Sequence, residues 1–271
     1  MKTFHYFLVV AVVGILTACS NYNKVLKSDD YKAKFEMANE LYDKGEYLRS
    51  VAFFEQVYQR FPKQAEGEVS YFRIGKAYYL DGDYYMGGYF LGEFTMRFPF
   101  SPKVEEATFL SAMCSVHNSP EPSLDQTATE IGINELQQFI DRFPESQLID
   151  SCNNIMDRLR YKLEVKDYEA VKLYSKTENY RAAVVSSMEF IKNYPMSKFK
   201  EEISYVLVNN SYLLAKNSIS TKKLERTIET LERYRNFVSE FPNSKYKKLV
   251  VNISDLMEKE RQKLEEQAKN S

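Results

Sequence analysis

Along most of the chain, apolar and polar positions repeat around five aromatic–proline pairs: Phe61-Pro62, Phe98-Pro99, Phe143-Pro144, Tyr194-Pro195 and Phe241-Pro242. The prolines stand 37, 45, 51 and 47 residues apart. Five residues before each is a bulky apolar residue: Val57, Phe94, Phe139, Phe190 and Phe237. Twelve before it is a mostly small one: Ser50, Gly87, Gly132, Ala183 and Thr230. A small residue lets two helices approach, and a bulky one on the same face fills the gap beside it. Fifteen before the proline, Tyr47, Tyr84 and Tyr180 follow Gly45-Glu46, Gly82-Asp83 and Glu178-Asn179. Glycine there suits a tight turn between helices. Proline stops the preceding helix, because it lacks an N–H and crowds its predecessor out of the α region. Ser101, Ser146, Ser197 and Ser244, two residues after four of the prolines, are expected to cap the next helix by accepting an orphan N–H. Pro102 falls where a first helical turn tolerates it. Each unit is thus predicted as helix, short turn, helix and proline stop, five times over residues 29–246.

The earlier half of each unit aligns too: Met37-Ala38 with Leu41-Tyr42 matches Ile74-Gly75 with Tyr78-Tyr79. Residues 117–129, polar and holding two prolines, read as an inserted loop, and 217–223 read similarly. The arrangement resembles the tetratricopeptide repeat, whose unit is usually about 34 residues. The resemblance is fullest in repeats one and two, where Tyr71, Ile74-Gly75, Tyr78, Gly82-Asp83-Tyr84 and Pro99 are nearly the whole signature. It implies an all-α, right-handed solenoid of five helix pairs with a concave surface. After Tyr246 the pattern changes. Leu249, Val250, Ile253, Leu256 and Met257 form one helical stripe expected to cap the last repeat within a C-terminal segment, 247–271. Residues 258–271 are nearly all polar and read as a solvated extension, with a helix awaiting a partner as the other reading.

The N-terminus has a different pattern. Lys2 precedes ten consecutive apolar residues, 7–16, too few to span a bilayer of ~30 Å but suited to a signal-peptide core. Leu16-Thr17-Ala18-Cys19 resembles the lipobox of bacterial lipoproteins. The resemblance implies a signal peptide at 1–18, removal before Cys19, and fatty acylation (palmitate or a like chain) of Cys19 on sulfur and amine. Several acyl chains anchor a protein stably where one does not. Ser20 rather than Asp after the cysteine fits export to the outer membrane. Residues 19–28 then form a lipid-anchored tether, and membrane contact is by lipid alone.

Composition narrows the remaining choices. The 271 residues include only 9 Gly and 8 Pro, which favours helix, and 21 Tyr and 18 Phe supply core. Net charge is −1, which argues against a nucleic-acid partner. Three cysteines and two histidines leave little for a metal or catalytic site. Phosphate-binding glycine loops are missing, and Ser-x-x-Lys occurs three times in polar turns without its supporting motifs. No enzyme activity, cofactor or metal is implied. His117 has no local ligand spacing. Cys114 and Cys152 are read either as buried small residues or as a pair for an oxidising periplasm.

The mature chain resembles the BamD family of lipoproteins, which serve the machinery that assembles outer-membrane β-barrels. The likeness is carried by DQTATEIGINELQQFIDRFPES (125–146), RLRYKLEVKDYEAVKLYSKTENYRAAV (158–184), FIKNYPMSK (190–198) and AKNSIS with KKLER (215–226). It implies a scaffold that binds the POTRA domains of the barrel insertase BamA, largely through C-terminal repeats, and receives C-terminal signals of unfolded outer-membrane proteins through N-terminal ones. In such repeats the concave face is drawn from the first helix of each pair, which places Phe35, Asn39, Tyr42, Phe72, Lys76 and Tyr79 on one surface. They read as a peptide groove, or equally as packing between helices. Another lipidated scaffold of the envelope, a pilotin or a Tol–Pal coordinator, is the alternative. Against it, pilotins are shorter and Tol–Pal coordinators carry an N-terminal coiled coil. Glycan-capture lipoproteins expose Trp, and this chain has none.

Overall fold

The computed structural model describes residues 21–269. The expected signal peptide and Cys19 lie outside the described residues. Among those described, the chain forms twelve helices and no strand: α1 (21–27), α2 (Tyr31–Asp43), α3 (Tyr47–Arg60), α4 (Ala65–Asp81), α5 (Tyr84–Arg97), α6 (Val104–His117), α7 (Thr127–Arg142), α8 (Ile149–Lys176), α9 (Tyr180–Asn193), α10 (Lys200–Lys216), α11 (Ser220–Glu240) and α12 (Lys247–Lys269). The fold is all-α, and α2–α11 are the five predicted pairs.

The proline stops act as expected. The aromatic residue before each proline closes its helix with a last N–H bond to the carbonyl four residues back, at 2.8–2.9 Å. Its φ lies between −127° and −124° and its ψ between 51° and 66° in all five units, outside the α region that a following proline disfavours. The serines differ from expectation. Ser101, Ser146, Ser197 and Ser244 accept the N–H two residues on, at Lys103, Leu148, Phe199 and Tyr246. Their carbonyls take the next N–H. They close a lead-in turn ahead of the helix, because the chain must first bend away from the proline. Inside the pairs, Gly45 and Gly82 have φ of +79° and +91°, and Glu178 occupies the same turn position at +59°.

Added length is absorbed in three ways. In the third pair it is a loop, 118–126, tied by the Gln126 amide to the carbonyls of Glu121 and Leu124. The loop is shorter than the predicted 117–129, since His117 ends α6 and α7 starts at Thr127. In the fourth pair the length lies in α8, 28 residues long. In the fifth the expected 217–223 loop shrinks to three residues and α11 lengthens to 21. The run STKKLERTIETL holds no Gly or Pro, so nothing stops the helix from starting early.

The chain divides into two compact units, residues 1–159 and 160–271. In the first, each helix from α2 to α7 packs on the next. Phe53, Phe54 and Ile74 centre the first core, Leu91 and Phe94 the next, and Leu136, Phe139 and Met156 the third. Gly75 is the close approach of α4 to α5: a Cβ there would stand 2.8 Å from Leu91 Cγ. The segment read as a tether is helical over 21–27, and Tyr22, Val25 and Leu26 pack on the first core. In the second unit α9–α12 pack consecutively around Phe190 and Ile203, and around Phe237, Val250, Ile253 and Met257.

The C-terminal expectation needs correction. α12 runs through the residues read as a solvated extension, and of the stripe only Val250, Ile253 and Met257 are buried. Leu249 and Leu256 stand about half exposed, although α12 packs on both α11 and α10. Cys114 and Cys152 are both buried free thiols in separate cores.

Candidate functional site: a groove on the first helices of three pairs

In the first unit, α2, α4 and the turn leading into α6 enclose a groove of about 270 Å³. Its lining is Tyr42, Glu68, Val69, Phe72, Arg73, Lys76 and Lys103. Val69, Phe72, Arg73 and Lys76 come from successive turns of α4, at the three- and four-residue spacing that aligns side chains on one helical face. Phe72 is buried and forms the floor. Lys76 Nζ and Lys103 Nζ lie 5.8 and 5.6 Å from its ring centroid, and the Arg73 guanidinium lies 4.9 Å from the Tyr42 ring. Each aromatic face therefore carries a cation, an attraction of about 0.5–1 kcal/mol at a partly exposed site.

Acidic groups hold these cations in place. Glu106 accepts from Lys76 at 2.5 Å and from Lys103 at 3.5 Å. Burial alone would push the Glu106 carboxyl up, but bonding and charge from the two lysines outweigh it and hold it below the usual carboxylate range. Arg73 donates to Asn39 Oδ1 at 2.6 Å and stands 4.0 Å from Asp43. Burial, opposed by Arg73, pushes the Tyr42 hydroxyl up to about 12, so it stays protonated. The result is an apolar floor with three fixed cations at its rim. That is a chemistry for an aromatic or aliphatic side chain next to a carboxylate or a run of carbonyls.

Of the six residues expected on this surface, Tyr42, Phe72 and Lys76 meet in the groove. Asn39 stands behind it, positioning Arg73. Phe35 and Tyr79 do not line it. Phe35 packs edge-on against Phe54 at 6.3 Å, and Tyr79 packs on Tyr84 and His117. Both point to the partner helix of their own pair or the next. Arg73 and Lys103 were missed. The signal for Arg73 was its place on the Val69–Lys76 face. Lys103 stands in a turn, where helical spacing says nothing.

The second unit holds a separate surface depression of about 350 Å³, lined by Tyr161, Glu164, Tyr194, Pro195, Met196, Ser197 and Lys198. Tyr168 and Phe199 stack at 4.2 Å beside it, and Lys198 lies over Tyr161 and Phe199. Met196 is 94% exposed. No helix among the described residues is long and apolar enough to cross a membrane.

Paired helices with proline stops, and a groove drawn from their first helices, define a helical-repeat scaffold of the tetratricopeptide kind. The chain matches the YfiO family model, described as an outer membrane lipoprotein, over residues 27–188 and 176–266, and it belongs to that family. It is 22% identical over 166 residues to the outer membrane protein assembly factor BamD of Caulobacter vibrioides, a match covering 61% of this chain and 54% of that protein. It is 23% identical over 250 residues to a protein of Aquifex aeolicus named for the same assembly factor, covering 91% of this chain and 80% of that one. The chain thus spans about half the length of the first of these relatives.

Proposed function

We propose that this protein is a lipid-anchored scaffold of outer-membrane β-barrel assembly. It binds the POTRA domains of the BamA insertase and receives C-terminal signals of unfolded outer-membrane proteins, for folding and insertion into the outer membrane. Its place is the periplasmic face of that membrane, held by acylated Cys19. Family membership supports the setting, and the relatives named as assembly factors support the task. It is a binding role and not a catalytic one.

The observation that carries the receptor half is the groove. An extended peptide ending in an apolar residue would set that side chain on Phe72 and Tyr42. Its terminal carboxylate and carbonyls would meet Arg73, Lys76 and Lys103, which are already fixed and pay little further ordering entropy. Binding of a synthetic C-terminal peptide of a barrel protein to the full chain, followed by fluorescence anisotropy, tests this. Tyr42→Ala and Lys103→Ala should each weaken binding about tenfold, the ~1.4 kcal/mol expected of an interface anchor. Their helicity should be unchanged. Unaltered affinity in both would remove the groove from the account.

A further inference from the structure

α5 is unlike an ordinary surface helix. Its sequence, YYMGGYFLGEFTMR, holds one acidic and one basic residue, Glu93 and Arg97, and these bond each other at 2.8 Å. Its inner side packs on α4 and α6, with Leu91 and Phe94 in the core they share. The opposite side carries Tyr85, Tyr89, Gly92 and Met96. Spacings of four, three and four residues set these in one row along the helix. Tyr85 is 80%, Tyr89 56% and Met96 69% exposed. A helix that is apolar on every side is normally buried on every side. Among the described residues only the inner side of α5 is covered.

The glycines of α5 divide the same way. A Cβ at Gly87 would stand 3.1 Å from Cys114 Sγ and from the Tyr79 nitrogen, and one at Gly88 would stand 3.3 Å from Cys114 Cβ. Both are small because a neighbouring helix lies against them. Gly92 has no such neighbour: the nearest atom, Ser111 Oγ, would be 3.6 Å away, ordinary contact. Glycine weakens a helix interior, and nothing among the described residues requires it at 92. The missing Cβ opens a notch in the row between Tyr89 and Met96. Such a notch serves a helix that crosses closely from outside.

We propose that the outer row of α5 docks on the same row of a second copy of this chain, antiparallel across a two-fold axis. Tyr89 and Met96 are equally far from the point midway between positions 92 and 93, about 5 Å to either side by helical rise. A two-fold axis through that point sets each tyrosine ring against the other copy's methionine sulfur, a favourable contact. The two notches at Gly92 come side by side and let the backbones close in. One patch thus meets itself, as two-fold pairing requires. Glu93 and Arg97 beside the row already hold each other, so no bare charge enters the seam. The three large side chains offer about 300–500 Å² per copy, against ~800 Å² in a standard interface, so the dimer is weak and reversible. α5 lines no part of the cationic groove, and the pairing is independent of peptide binding.

Analytical ultracentrifugation of the purified full chain in detergent, across the micromolar range, should show a monomer–dimer equilibrium. Met96→Glu and Gly92→Leu should each weaken it about tenfold or more while helicity is kept. In envelope vesicles, Gly92→Cys should give a cross-linked dimer with a short bismaleimide, and Lys63→Cys, on an exposed turn after α3, should not. A chain that stays monomeric and gives no cross-link at position 92 would overturn the pairing. So would an equilibrium that neither variant moves. Cross-links from position 92 to a different protein alone would overturn the second copy as the occupant of this row.

Discussion

Glu178 holds a left-handed backbone position that glycine holds in the first two pairs. A non-glycine residue there costs of order 1 kcal/mol or more, because its Cβ crowds the following carbonyl. Glu178→Gly should therefore raise the thermal midpoint by a few degrees, read by circular dichroism, while Gly82→Glu should lower it. Gly67 and Gly92 make a second contrast. A Cβ at Gly67 would lie 1.9 Å from the Phe61 carbonyl oxygen, a backbone atom that cannot step aside. At Gly92 its nearest neighbour would be Ser111 Oγ at 3.6 Å, ordinary contact. Gly67→Ala should cost about 1–3 kcal/mol or more by overpacking, whereas Gly92→Ala should be neutral or gain up to ~1 kcal/mol of helix propensity. Urea unfolding distinguishes them. The glycines of the turns were legible from their place in the repeat. Gly67 was not, because its crowding comes from the carbonyl of a preceding turn that folds back over α4. At this scale the small and bulky offsets were also legible: Ser50, Gly87, Gly132, Ala183 and Thr230 are buried, as are Val57 and the four phenylalanines that match it.

Between elements, one polar device recurs in both units. Lys76 on α4 bonds Glu106 on α6 at 2.5 Å, and Lys172 on α8 bonds Glu202 on α10 at 2.6 Å, each pair 30 residues apart. Ser101 donates to Glu68 and Ser197 to Glu164, both at 2.5 Å and both 33 residues apart. Each lysine, glutamate and serine holds the same offset from Pro99 or Pro195. First helices of successive pairs are thus clamped at fixed register by side chains the apolar repeat does not mention. Reading only apolar periodicity hid them, though the offsets were in the sequence. Burial opposes ionisation of Glu106 and of Glu202, and bonding to their lysines overcomes it, so both carboxyls are held below their ordinary value of 4.5. Each clamp therefore contributes stability that is full above that value and is lost as pH falls through the lower folded value. The Lys76–Glu106 pair is partly exposed, so its worth is at most about 1 kcal/mol. Glu106→Gln should lower the urea midpoint at pH 7, and the gap to the parent protein should narrow as the pH falls below the ordinary carboxyl value of 4.5. Working with the difference removes the opposite drift from Glu55 and Glu135, whose carboxyls burial pushes up. A gap unchanged across that range would deny the clamp its role.

For the whole molecule, helix content and the five pairs were legible because proline stops and the small–bulky offsets are local signals. The elongated α8 and α11, and the helical course of 258–269, were not. Polar stretches without breakers look the same as extension or helix until a neighbour is seen. The candidate site was half legible. Tyr42, Phe72 and Lys76 lie on helical faces whose spacing is readable. Lys103 reaches the groove from a turn, and Phe35 and Tyr79 were drawn into packing by neighbours on other helices. A net charge of −1 and a cationic groove are compatible, since the cations are local and their partners, Glu106 and Asp43, stand beside them. What the molecule does as a whole depends on its partner, and that partner is measurable. The full chain, affinity-purified from detergent-solubilised envelope with its companions identified by mass spectrometry, should bring down a POTRA-bearing barrel insertase in stoichiometric amount. It should also bind the purified POTRA domains of that insertase directly. A secretin ring or the Tol–Pal proteins in its place, with no binding to purified POTRA domains, would contradict the assembly scaffold.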